Sequence, residues 1–166
     1  SAILNNRGTC KKSAALVVPN PVSSGTGTGK QRVLPEISEL HKKYKSMSST
    51  NLSELFTETP ALWHEYHEVA GHMEGGFDAK DIPRNRVIQE MEKEKVCTSR
   101  PKVVVDMGCG RADVWRHFSA DTRFQFYNYD HVVGDGLEDN VEKCDVSHTP
   151  HDDASADIVV LSLAMW

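Results

Sequence analysis

Residues 102–112 read KVVVDMGCGRA: three valines run into Asp106, and the chain then enters a turn in which Gly108 and Gly110 bracket Cys109. A valine run without polar alternation makes a strand covered on both faces, the pattern of a parallel sheet in an α/β domain. Glycines directly after it let the chain turn sharply and let something approach the backbone. In such sheets ligands sit beyond the carboxyl ends of the strands, where the following helix also offers free N–H groups. Asp130 ends the stretch FQFYNYD, twenty residues after Gly110. An acid at that place accepts hydrogen bonds from two ribose hydroxyls. The chemistry suggested is the holding of an adenosine.

Two ligand classes share that geometry. A dinucleotide wants a third small residue so that the helix packs close to a pyrophosphate, but here GxGxxG becomes Gly108-Cys109-Gly110-Arg111-Ala112-Asp113. The pyrophosphate would meet the charge of Asp113. An adenosine whose other end is a zwitterionic methionine has no such objection, and VVDMGCG resembles the first motif of S-adenosylmethionine-dependent methyltransferases. That resemblance implies S-adenosyl-L-methionine as cofactor. It also implies that Asp145 of KCDV receives the adenine amino group, that the Val146 backbone meets a ring nitrogen, and that ADIVVLSLAMW is a fourth strand leading to the substrate. Asp145 is equally at home as the acid of a plain turn.

Two other groupings imitate sites. SSGTGTGKQ has the outline of a phosphate loop, but GxxxxGK[ST] needs glycine where Ser24 stands and a hydroxyl where Gln31 stands, and no strand precedes it. HEYHE looks like a zinc protease motif, yet His64 and His67 are three apart rather than four. His64, Glu68 and His72 fall within about 80° on a helical wheel at ~100° per residue, so they form a rival metal grouping.

The elements that must position these residues follow from periodicity and punctuation. The first thirty or so residues are Ser, Gly, Thr, Asn and Pro with few large apolar groups, and disorder is expected over 1–33. Leu34, Ile37, Leu40 and Tyr44 recur at helical spacing before a polar break at KSMSSTN. Thr59 and Pro60 start a helix with a stripe of Leu62, Tyr66, Val69 and Met73, stopped by Gly75 and Gly76. Another follows Pro83, with Val87, Ile88 and Met91 inward. This helical lead-in, 34–100, gives way at 101–166 to alternating strands and helices, the mark of a doubly wound, mainly parallel sheet. The expected strands are Val103–Met107, Phe124–Tyr129, Val141–Cys144 and Asp157–Leu163, with a short helix carrying Ala112, Val114, Trp115 and Phe118 between the first two.

Charge is divided between the two ends. Residues 1–50 carry eight Lys/Arg against two acids, and residues 51–166 carry eleven against twenty-two. A basic tail on an acidic body would be the first part to grip a polyanion, or serve as a solvated leader. No apolar run is long enough to span a membrane. The four cysteines form no CxxC pair or metal-finger spacing, which favours a reduced intracellular compartment.

Taken in order, TPALWHEYHE, the helix after Pro83, VVVDMGCG, NYD and KCDVSHTPHDDASADIVVLSLAMW resemble the ribosomal RNA-processing protein 8 (nucleomethylin) family over roughly residues 55–166. That resemblance implies a Rossmann-like class I methyltransferase in the nucleus and nucleolus, acting on ring nitrogen 1 of an adenine in large-subunit rRNA during ribosome biogenesis. Partners would be rRNA or the pre-ribosome and nucleolar chromatin proteins, with no membrane. The family's cofactor residues carry over to His67, which helps close the pocket, and to Gly108, Gly110, Asp130, Asp145, Val146 and Ser162. His67 could also be a half-buried helix histidine. No catalytic residue is assigned. Arg111 stands where an acid usually follows the second glycine, and Val69 replaces a glycine after the Tyr66-His67 pair. The chain stops at Trp166, on the fourth expected strand, where the family continues into three more, so a domain truncated there is expected. A non-catalytic cofactor-binding adaptor is the alternative the resemblance allows.

Overall fold

Lys102–Met107 forms strand β2 with both faces covered, as its valines require: Val104 and Val105 are fully buried and Lys102 reaches out to pair with Glu94. The computed structural model describes residues 16–17, 33–95 and 99–162. In chain order they form β1 (Leu16–Val17), α1 (Val33–Lys45), α2 (Ser49–Glu58), α3 (Pro60–Glu74), α4 (Pro83–Glu92), β2, α5 (Asp113–Phe118), β3 (Phe124–Asp130), β4 (Glu142–Lys143) and β5 (Ile158–Leu161). Single 3₁₀ turns occur at Ala79–Asp81 and Val146–His148.

The sheet is parallel throughout, in the order β1-β5-β2-β3-β4. Val104 faces Phe126 on one side and Ile158 on the other. The chain therefore moves outward from β2 through β3 to β4, then returns to lay β5 on the opposite side of β2. The order reverses at β2, and the crevice that such a reversal opens lies at its carboxyl end, where the glycines are. This is a Rossmann-like sheet with flanking helices.

One core lies between the sheet and α4 and α5, built of Val87, Met91, Val104, Val114, Phe118, Phe124, Ile158 and Val160. A second joins α1, α2 and α3: Tyr44, Leu52, Phe56 and Trp63 close on Val132, just past the end of β3. The three-helix lead-in is thus bound to the sheet at the end where a ligand would enter.

Several expectations need correction. The polar break at KSMSSTN contains the start of α2: the Ser48 hydroxyl accepts from Asn51 N at 3.2 Å, and Leu52 and Phe56, one turn apart, are buried. Within α3 the most buried residue is Trp63, outside the expected stripe, while Leu62, Tyr66, Val69 and Met73 are half-buried. Trp63 is turned toward the sheet end, where its N–H finds an acceptor. Strand β4 spans two residues rather than four, and β5 begins at Ile158 because Asp157 is engaged with Arg100 and with Val103 N. In the segment expected to be disordered, Leu16 and Val17 pair with Val160 and Leu161. They belong to AALVV and pair along the side of β5 away from β2. The rest of 1–32, and residues 163–166, lie outside the described residues.

Candidate functional site

The turn after β2 is built from left-handed residues: φ is 70° at Gly108, 57° at Gly110 and 54° at Ala112. Gly108 N and Cys109 N both donate to the Tyr129 carbonyl, at 2.8 and 3.0 Å, so the turn folds back over the end of β3. That places Gly110 N 2.7 Å from Asp130 Oδ2. A side chain at Gly110 would meet His67 Cε1 at 2.7 Å. The glycine is needed for its backbone conformation and for the approach of helix α3.

Asp130 is 6% exposed and receives two more hydrogen bonds on Oδ1, from His131 N and from the Trp63 indole N–H, each at 2.8 Å. Next to it Asp106, one residue before the end of β2, is only 2% exposed. Burial, and then the charge of Asp130, push its carboxyl up to about 7. His67 lies with its ring centre 4.1 Å from that of Trp63. Burial lowers its pKa against the opposing pull of Asp130. Burial, with Asp106 and Asp130, also drives the Cys109 thiol far above its ordinary range.

Two cavities meet at these residues. The larger, about 740 Å³, is lined by His67, Asp106, Gly108, Gly110, Arg111 and Ser162 among others. The smaller, about 70 Å³, is lined by Tyr44, Trp63, His67, Gly108, Asp130, His131 and Val146. Two of its lining atoms, Tyr44 Oη and His131 Nδ1, are buried without a hydrogen-bond partner. His67 and Gly108 border both spaces, so the structure gathers His67, Gly108, Gly110, Asp130, Val146 and Ser162 around one crevice.

Asp145 borders neither cavity. Its Oδ1 accepts from Ser49 Oγ at 2.6 Å, Ser147 Oγ at 2.7 Å and Ser147 N at 2.9 Å, capping the 3₁₀ turn that carries Val146. Burial opposes its ionisation, but these donors outweigh it and bring the carboxyl down to about 2. Asp145 thus serves the turn acid's role and holds α2 to the sheet. The rival metal grouping is not assembled: among the described residues no three His, Cys, Asp or Glu side chains are placed to hold an ion. His64 packs edge-on against Trp63.

Two residues of this region, Trp63 and Ser49, escape sequence reasoning. Trp63 carries only the signal of an apolar helix residue, Ser49 only that of a helix start. Asp106 is marked in the sequence as the acid after the valine run, while its burial, which sets its charge, comes only from the fold.

The crevice presents polar groups from several elements that a bound molecule could meet. Asp130 keeps one acceptor position, the orphaned Tyr44 and His131 atoms await polar partners, and Asp106 can meet an ammonium in the larger cavity. Residues 29–166 match the model of a family described as "Hypothetical methyltransferase". Ribosomal RNA-processing protein 8 of Caenorhabditis elegans is 27% identical over 128 residues, which are 76% of this chain and 34% of that protein. The 25S rRNA (adenine(645)-N(1))-methyltransferase of Schizosaccharomyces pombe is 23% identical over 128 residues, 76% of this chain and 39% of that protein. The chain therefore spans well under half of the length of these relatives. No solved structure matches the chain.

Proposed function

The chain belongs to the methyltransferase family whose model covers residues 29–166, and from that premise we propose that it holds S-adenosyl-L-methionine in the crevice between α3 and the sheet and methylates ring nitrogen 1 of an adenine in large-subunit rRNA. The observation that carries this reading is the Gly110–Asp130 clamp at the reversal of strand order, with Asp106 beside it. The cofactor, when bound, supplies an electrophilic methyl group. The residues do the rest: Gly108 and Gly110 keep the backbone clear, Asp130 receives ribose hydroxyls, and Asp106 receives the methionine ammonium. The turn capped by Asp145 presents the Val146 backbone to the adenine, His67 covers the site, and Ser162 borders the substrate side.

Adenine N1 has a lone pair and no proton, so alignment and exclusion of water suffice without a dedicated base. A target paired in a helix would first be unstacked. The raised Cys109 thiol does not suit a nucleophile, which speaks against carbon methylation of a pyrimidine. The basic first fifty residues would grip rRNA or the pre-ribosome, in the nucleolus of the nucleus. The adaptor reading has one observation in its favour: His67 already occupies the space over Gly110.

Tritiated-methyl transfer to rRNA lacking the modification, with the full-length protein and its Asp130→Ala variant, tests both. Transfer by the parent alone, with N1-methyladenine as product, supports the enzyme. Thermal stabilisation by S-adenosylhomocysteine without transfer supports the adaptor, and the absence of both responses overturns the cofactor site.

A further inference from the structure

Asp130 has little left to offer a ribose. A carboxylate accepts about four hydrogen bonds, and three positions are taken, by Trp63 Nε1 and His131 N on Oδ1 and by Gly110 N on Oδ2. Two ribose hydroxyls need two positions and find one. Two of the three donors are backbone groups, set by the end of β3 and by the glycine turn. The third is a side chain on α3, and it is the one that can leave.

Space leads to the same residue. The cavity beside Asp130 holds about 70 Å³, against the roughly 300–1,000 Å³ of ordinary small-molecule sites. The adjoining cleft, at about 740 Å³, is roomy. Trp63 and His67, one helical turn apart with ring centres 4.1 Å from each other, both line the smaller space.

We propose that Trp63 competes with the ligand's ribose for Asp130, so that the indole N–H must leave Oδ1 for the nucleoside to seat and its presence sets the affinity. This rests on reading Asp130 as the ribose acceptor. A Trp63 that merely held the carboxylate in position would have the opposite effect on binding. Phenylalanine at 63 removes the donor while keeping a ring against Tyr44, Leu52, Phe56 and Val132.

Calorimetric titration with S-adenosylhomocysteine compares the full-length protein with Trp63→Phe. The variant is expected to bind about tenfold tighter, the lower range for a hydrogen bond to a charged group. In the parent, the Trp63 indole N–H resonance, identified by its loss in the variant, is expected to lose its protection from hydrogen exchange at saturation. Equal or weaker binding by Trp63→Phe overturns the competition and leaves the cofactor site standing. Should that variant not fold, the parent resonance decides alone, assigned through its nuclear Overhauser contacts with the His131 amide, and an indole that stays protected overturns the proposal. Absence of binding by parent and variant overturns the cofactor reading, and the competition falls with it.

Discussion

Asp106 at the end of β2 and Asp145 just past β4 carry the same carboxyl and are driven in opposite directions, up to about 7 and down to about 2. Burial disfavours the charge at both. At Asp106 a second carboxylate adds to the penalty, whereas at Asp145 two serines supply hydrogen bonds that reverse it. Near the reversal of strand order the fold thus keeps a carboxyl poised between charge states. At the outer turn it keeps one firmly ionised as a structural fastening. Surroundings, and not residue type, separate a site that can answer a ligand from one that holds the chain.

The largest effect is expected on the ligand side, at Asp130. Asp130→Ala leaves Gly110 N, His131 N and the Trp63 indole without their acceptor, and should lower stability by about 4 kcal/mol in urea unfolding. A loss no greater than that of Asp145→Ala would erase the distinction between the two regions.

Asp106→Asn should act with the opposite sign. Native Asp106 titrates near 7, and an unfolded aspartate near about 4. Between these the native state keeps a proton that the unfolded state has lost, so this group makes stability fall as pH rises from about 4 to about 7, and stay level above. The variant should therefore be more stable than the parent by about 4 kcal/mol at pH 8, with the gap closed by pH 4. Unfolding curves across that range check the slope, and parallel curves would place the Asp106 carboxyl in the ordinary range.

At the fastening the effects are smaller. Asp145 is held down to about 2, so its stabilisation is complete above the unfolded value of about 4 and is lost as pH falls through about 2. Asp145→Ala should cost about 1 kcal/mol at pH 7, discounted for partial exposure, and nothing once both forms are protonated. Ser49→Ala removes one donor and should cost about 0.5 kcal/mol while moving the Asp145 titration upward, read by carbon-detected NMR. An unmoved titration would assign the depression to Ser147 and the nearby His131.

Much of the frame was legible beforehand because its causes are local. The valine run of β2, the glycines of the turn, the acid ending β3, and Pro60 and Pro83 at helix starts each carry a rule that works within a few residues. The same rules failed at α2, where Ser48 as cap and the Leu52–Phe56 pair were hidden inside a polar stretch. They failed again at Trp63, whose place is set by a hydrogen bond to a residue 67 positions away.

Strand, turn and helix starts belong to the amino-acid order itself, since short-range sterics and capping fix them wherever the segment sits. The state of each acid does not. Asp106, Asp130 and Asp145 are alike on paper; one is poised, one is clamped by three donors, and one is held ionised by Ser49 from 96 positions away. Their differences arise only when distant segments meet and exclude water, because both desolvation and hydrogen bonding depend on what lies within a few ångströms in space.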